Sequence, residues 1–191
     1  MILDRFNKFF DLGDGYRRLG LCYKRGFLFH GEPGCGKTTL ARMAAEIWVQ
    51  RGGMVLLEGS QGELAEALEY VDVPIMVMID DVDCWQEANL THAMDGLSDS
   101  SNVVWVATTN FINKVSDRLK RPGRFDEVLE VKPPPPSDII KWVRGLPIPK
   151  AQKDWVLSNS KDLTPSEVRE LVIRCHLFEE RIPIKTARTA K

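Results

Sequence analysis

Short apolar runs alternate with amphipathic stretches along this chain, and that alternation predicts a parallel sheet with helices on both of its faces. Gly26-Phe27-Leu28-Phe29-His30 reads as a first strand, and 37–50 as a helix with Leu40, Met43, Ala44, Ile47 and Trp48 on one stripe. A second strand is predicted over 54–58 and a short helix over 61–70. The run Ile75 to Ile79 is apolar at every position, as a central strand covered on each side must be. A helix over 87–95, a strand over 103–108, a short helix over 115–119 and a strand over 127–131 complete a five-stranded α/β reading. Residues 1–25 form a lead-in with no assigned element.

Pro133-Pro134-Pro135-Pro136 can neither continue a strand ladder nor enter a helix interior, so the domain boundary is expected there, with a core over 1–135. Beyond it the pattern is helical over 136–180. Ser137 is expected to cap a helix carrying Ile139, Ile140 and Trp142, and a second helix is predicted over 151–158. A third, over 165–178, opens with Thr164-Pro165-Ser166-Glu167, which has the form of a capping box with proline in the first turn. The basic stretch 181–191 carries four cationic residues and no acid, and is expected to fray.

Charge changes the picture by exclusion. With 26 Lys+Arg against 27 Asp+Glu, the net charge of −1 supplies no global field toward nucleic acid or an anionic membrane. The longest apolar run, Val73 to Ile79, is far short of the ~20 residues that span a bilayer, so no membrane partner is expected. The opening MILDRFNKFF mixes charge with apolar residues, unlike a secretory signal. Cysteines at 22, 35, 84 and 175 show no CxxC pairing, which points to reduced thiols and a cytoplasmic setting. About 25 residues precede the first strand, fewer than a folded recognition domain needs. Recognition is therefore expected from a partner, or from a longer protein of which this chain is one piece.

Candidate chemistry begins at Gly31-Glu32-Pro33-Gly34-Cys35-Gly36-Lys37-Thr38, a GxxxxGK[ST] run between a predicted strand and a predicted helix. Its glycines let backbone amides turn around a polyphosphate, Lys37 reaches the β and γ oxygens, and Thr38 can ligate Mg²⁺; Thr39 completes the cradle. The strand ending at Ile79 runs into Asp80-Asp81-Val82-Asp83. Alternation along a strand separates the first two carboxylates, and Asp80 is assigned to the metal and Asp81 to the attacking water. Asp83 is expected to cap the next helix. Asn110 ends another buried strand, where a carboxamide can serve the γ-phosphate and the water together. Arg121 and Arg124 flank a Pro-Gly turn, suited to reach a neighbouring copy's phosphate.

This ordered set resembles the AAA+ ATPases, specifically the AAA proper clade, over residues 17–180. The resemblance rests on the Walker A run GEPGCGKT, the Walker B run IMVMIDDVD, LTHAMDGL, the strand ending TTN, and RPGRFD. It implies a P-loop NTPase fold with three αβα layers, sheet order 5-1-4-3-2 and a small helical lid. It also implies ATP and Mg²⁺ as cofactors, Asn110 as sensor 1, and Arg121 and Arg124 as arginine fingers in a homo-oligomeric ring, commonly of six, that remodels an unknown protein substrate or works with an adaptor. YRRLGLCYKRGFLFHGEPG, DDVD and LTPSEV are most similar to the AAA module of the mitochondrial complex III assembly chaperones.

Three departures qualify the resemblance. Asp81 stands where most of the clade has glutamate. Gly59-Ser60-Gln61-Gly62 stands where threading unfoldases carry an aromatic pore loop, and Tyr70 is expected to pack the second helix instead. Ser166 occupies the place of a sensor 2 arginine in other branches, with Arg169 one turn on as an alternative. Two further readings stand beside it: an ATP-gated scaffold with little hydrolysis, motivated by Asp81 and the missing aromatic loop, and a helicase- or clamp-loader-like nucleic-acid accessory ATPase, supported only by the basic tail.

Overall fold

The computed structural model describes residues 2–57, 66, 73–96 and 102–184. In chain order, α1 (Ile2–Phe10) and α2 (Gly13–Arg18) lead into β1 (Lys24–His30), α3 (Lys37–Gln50), β2 (Met54–Leu57) and β3 (Ile75–Ile79). Then come α4 (Glu87–Gly96), β4 (Val103–Thr109), β5 (Glu127–Glu130), α5 (Pro136–Gly145), α6 (Lys150–Ser158) and α7 (Pro165–Leu177). The expected helix over 61–70, apart from Glu66, lies outside the described residues, as do Gly59-Ser60-Gln61-Gly62, Tyr70 and the end of the tail from 185.

The five described strands pair in parallel in the order β2-β3-β4-β1-β5, the order that the resemblance implies. β3 and β4 are buried at every residue, because both of their faces are covered. Successive residues divide between two cores. Ile75, Val77, Ile79, Val103, Trp105 and Ala107 pack with Leu90 and Met94 of α4 and with Phe125. Met76, Met78, Val104 and Val106 face the other way, onto Ala41, Ala44 and Trp48 of α3 and Phe6 and Phe9 of α1.

Several expectations need correction. The lead-in is structural: Phe6 and Phe9 are 1% and 3% exposed, and Phe9 stacks on Tyr23 at 4.6 Å between ring centroids. Burial holds the Tyr23 hydroxyl well above the usual phenol range, and it donates to the Phe9 carbonyl at 3.0 Å. On α3 the buried residues are Lys37, Ala41, Ala44 and Trp48, with Met43 exposed, so two alanines hold the middle of the buried face. No helix forms over 115–119. A 3₁₀ turn at Ile112–Lys114 and a turn closed by Leu119 N on Ser116 O at 3.2 Å insert Val115 and Leu119 into the core.

The chain packs as two units, residues 1–31 with 37–131 and residues 32–36 with 132–191. In the second, Val143, Val156, Leu163, Val168, Leu171 and Cys175 form a separate small core among α5, α6 and α7. The capping box forms: Thr164 Oγ1 accepts from Glu167 N at 3.3 Å, and Glu167 Oε2 accepts from Thr164 N at 2.6 Å. Ser137 caps nothing; Pro135 holds the position before the helix and Pro136 its first turn, where a missing N–H costs nothing.

Phe6→Ala should therefore cost about 3–5 kcal/mol of stability in urea unfolding, the usual range for an emptied aromatic core site. A loss under about 0.5 kcal/mol, typical of surface positions, would show that α1 contributes nothing to the core.

Candidate functional site

The loop from β1 to α3 turns on two glycines in the left-handed region, Gly34 at φ 78° and Gly36 at φ 104°, which an L side chain resists. Within its own unit Gly34 is also closely approached: a Cβ there would lie 2.8 Å from Thr164 Oγ1. Lys37 opens α3 with its side chain drawn inward, 5% exposed. Its ammonium donates to Gly31 O at 3.0 Å and to Asn110 Oδ1 at 2.6 Å.

Strand register brings the remaining groups to the same edge. β4 lies between β1 and β3, with His30 opposite Thr109 and Ile79 opposite Ala107. Residues just past these ends, Asp80, Asp81 and Asn110, consequently converge beside the start of α3. Thr38 Oγ1 donates to the Asp80 carboxylate at 3.0 and 3.2 Å, and Thr108 Oγ1 donates to Asp80 Oδ1. Asp81 adopts the left-handed conformation at φ 47°, ψ 54°. Its backbone N–H donates to Thr108 Oγ1 at 3.1 Å, and its carboxylate accepts from Asn110 Nδ2 at 3.1 Å. Asn110 thus bridges a cation and an anion, with its oxygen on Lys37 and its nitrogen on Asp81.

The separation of Asp80 from Asp81 has a different cause from strand alternation. β3 ends at Ile79, and the left-handed turn at Asp81 sends the two carboxylates apart. Asp83 does not cap α4: it sits in a 3₁₀ turn, Val82–Cys84, and accepts from Thr109 Oγ1 at 2.5 Å.

The arginine turn is pinned from below. Asp126 accepts from Gly123 N at 2.8 Å and Gly26 N at 3.0 Å. A Cβ on Gly26 would lie 1.8 Å from Arg124 O, so the turn needs glycine in β1. Arg124 grips Asp95 through two bonds, Nε to Oδ1 at 3.0 Å and Nη2 to Oδ2 at 2.7 Å, and donates to Arg118 O at 2.7 Å. The Arg124 guanidinium beside Asp95 holds that carboxyl below its usual range. Arg121 is exposed and lines a cavity of about 580 Å³ with Cys22, Lys24 and Arg124.

Lys37, Thr38, Asp80, Asp81 and Asn110 are thus brought together in the first unit. Cys35 is buried, whereas Glu32, Pro33 and Thr39 are exposed. Arg121 and Arg124 share their own turn. In the second unit Ser166 Oγ lies 3.5 Å from Gly34 O, and Arg169 is exposed. Sequence reasoning missed Thr108, which holds both Walker B residues, and Asp95, which holds Arg124. Both lie in runs that carry the resemblance, TTN and LTHAMDGL, where a side-chain function for each polar position was the available signal.

A hydroxyl and a carboxylate oxygen already in contact, Thr38 with Asp80, suit a hard cation such as Mg²⁺, which takes few protein ligands and keeps phosphate and water for the rest. The buried Lys37 ammonium at the start of α3 suits a phosphate.

Residues 27–133 match the model of the ATPase family associated with various cellular activities (AAA). The chain is 30% identical to protein CdcH of Halobacterium salinarum over 161 residues, covering 70% of this chain and 22% of that protein. It is 33% identical to nuclear valosin-containing protein-like of Mus musculus over 151 residues, covering 66% and 18%. It is 30% identical to the proteasome-activating nucleotidase of Methanosphaerula palustris over 146 residues, covering 62% and 35%. The chain spans about a fifth of the length of the first two of these relatives. Among the described residues no helix is long and apolar enough to cross a membrane.

A double-mutant cycle on Asp95 and Arg124 should return a coupling of about 0.5–1 kcal/mol at neutral pH, the upper part of the range for a partly exposed pair. Because the Asp95 carboxyl is lowered in the fold, this coupling is complete above the ordinary aspartate range. It disappears as pH falls through the lower folded value. A coupling that persists in strong acid would contradict the ion pair.

Proposed function

The chain belongs to the AAA family of ATPases, and from that membership we propose that it binds Mg-ATP and hydrolyses the terminal anhydride. We propose further that it works as a ring-like homo-oligomer, six-membered by resemblance, remodelling a protein or protein complex. The observation that carries this reading is the continuous chain Lys37, Asn110, Asp81, with Thr38 and Asp80 beside it.

Lys37 trades its bonds to neutral amide oxygens for phosphate oxygens, a stronger charge-assisted pairing. Thr38 and Asp80 would hold Mg²⁺, which offsets charge on the β and γ oxygens. Asn110, released from Lys37, keeps its amide on Asp81 and orients the attacking water. Asp81 accepts the water's proton as its oxygen bonds to the γ-phosphorus and the β–γ bridge breaks, releasing ADP and phosphate. Arg121, exposed on an anchored turn, is the guanidinium suited to reach the terminal phosphate of a neighbouring copy, while the Asp95 pair keeps Arg124 at its base. The helices after Pro136 serve as the lid, moving as γ-phosphate contacts are lost. The runs YRRLGLCYKRG, DDVD and LTPSEV support a place for this module beside the complex III assembly chaperones.

A second reading, an ATP-gated scaffold with slow turnover, is favoured by one feature: the Asp81 carboxylate is short and already engaged by Asn110.

Phosphate release measured against protein concentration separates the two. Turnover per protomer should rise steeply with assembly, and a flat, near-zero rate would favour the scaffold. Asp81→Asn should retain ATP binding and lose about 10²-fold or more in turnover, whereas Lys37→Ala should lose ATP binding. Arg121→Ala should lose about 10³-fold in turnover with protomer affinity kept. Full turnover in Asp81→Asn would overturn the assignment of the base.

A further inference from the structure

At the opposite end of the strands from Lys37 and Asp81 there is a second, unrelated cavity. It lies where α1 and α2 meet the beginnings of β1 and β5, and has a volume of about 260 Å³. Its floor is apolar: Phe9 and Phe27 are 3% and 2% exposed, and Leu12 and Tyr16 extend the wall. Its rim is cationic. Arg5 and Lys8 approach from α1 and Arg25 from β1, against one carboxylate, Glu127. Glu127 accepts from Arg5 Nη1 at 2.8 Å and Arg25 Nη2 at 2.6 Å, and this pairing holds it below the usual carboxylate range. Among the lining residues one carboxylate stands against three cations, with Asp126 acting on Arg25 as a further acid, so the rim stays net positive. Each guanidinium carries five donors, of which Glu127 takes few and, on Arg25, Tyr16 shares one.

We propose that this cavity is a docking site for an acidic segment of a partner protein, with one apolar side chain seated on the Phe9 and Phe27 floor and its flanking carboxylates on Arg5, Lys8 and Arg25. Size selects a peptide. Small-molecule sites run about 300–1,000 Å³ and bury most of the ligand, whereas this cavity holds a single large side chain. Charge selects acid, since an incoming carboxylate meets guanidinium donors already fixed by Glu127. Position keeps the site independent of nucleotide chemistry: Phe27, Arg25 and Glu127 belong to the strand starts, and the candidate catalytic groups follow the strand ends. The cavity is formed wholly within the first unit, and the inference does not rest on the proposed ATPase activity.

The test is fluorescence anisotropy on the full chain with a labelled peptide, Asp-Asp-Leu-Phe-Asp-Asp. Controls replace Leu-Phe by Ala-Ala, or every Asp by Lys. Saturable binding is expected for the parent peptide, with both controls about tenfold weaker or worse. The Arg5→Glu/Lys8→Glu double variant should lose about tenfold or more as well. Both positions are exposed, and the milder Arg5→Gln/Lys8→Gln pair, checked by circular dichroism, guards against misfolding. A non-hydrolysable ATP analogue should leave peptide affinity unchanged. Four results would each overturn the proposal: no saturable binding; equal affinity for the Ala-Ala control, which would mean charge attraction alone; equal affinity in folded Arg5/Lys8 variants; or displacement by the analogue, which would put the peptide in the phosphate loop.

Discussion

Everything at the candidate catalytic edge depends on β4 lying between β1 and β3 in fixed register. His30 opposite Thr109 sets where the glycine loop begins, and Ile79 opposite Ala107 sets where the Walker B acids emerge. A slip of one residue would exchange the two cores, turning Met76, Met78, Val104 and Val106 toward α4 and their neighbours toward α3. Because both faces are packed against different partners, that slip is strongly disfavoured. The position of Asp80 beside Thr38 is therefore secured by apolar burial several residues away.

On that base the site stores conformational tension at one residue. A left-handed aspartate costs about 1–2 kcal/mol relative to the ordinary helical region, and Asp81 is held there by Thr108 from the backbone side and Asn110 from the side chain. The same Asn110 satisfies the buried Lys37 ammonium through its oxygen. One carboxamide therefore ties the Lys37 ammonium to the Asp81 carboxylate. A phosphate that takes the lysine changes the surroundings of the aspartate without any contact between them. The arginine turn follows the opposite logic: Asp95, Asp126 and the absent side chain at Gly26 fix its base, leaving Arg121 outward.

Much of this was legible in the residues. The apolar runs at 75–79 and 103–107 could only be central strands, and the GEPGCGKT spacing put Lys37 at a helix start. The capping box at Thr164 was equally plain, since its two bonds are local. What sequence could not give was set by tertiary contact. Phe6 and Phe9 look like any amphipathic lead-in until Tyr23 and Phe27 supply a surface for them. Ala41 outranks Met43 on the buried face of α3 because close approach to the sheet favours a small side chain. Asp83 found Thr109 across the sheet edge instead of the next helix, and the 115–119 segment gave up helical hydrogen bonds to bury Val115 and Leu119. Thr108 was read only as the last residue of a strand, although its hydroxyl bonds to Asp80 and to the Asp81 backbone.

The central proposal is that one copy supplies Asp81 and its neighbour supplies Arg121 to a single catalytic seam. The most direct test mixes two variants that are each inactive, Asp81→Asn and Arg121→Ala, and measures phosphate release as their ratio changes. A seam built from two copies predicts that activity returns in the mixture, highest near equal proportions, because some interfaces then pair an intact aspartate with an intact arginine. If mixtures that demonstrably co-assemble and bind ATP stay as inactive as either variant alone, the two residues do not complete one site and the account fails.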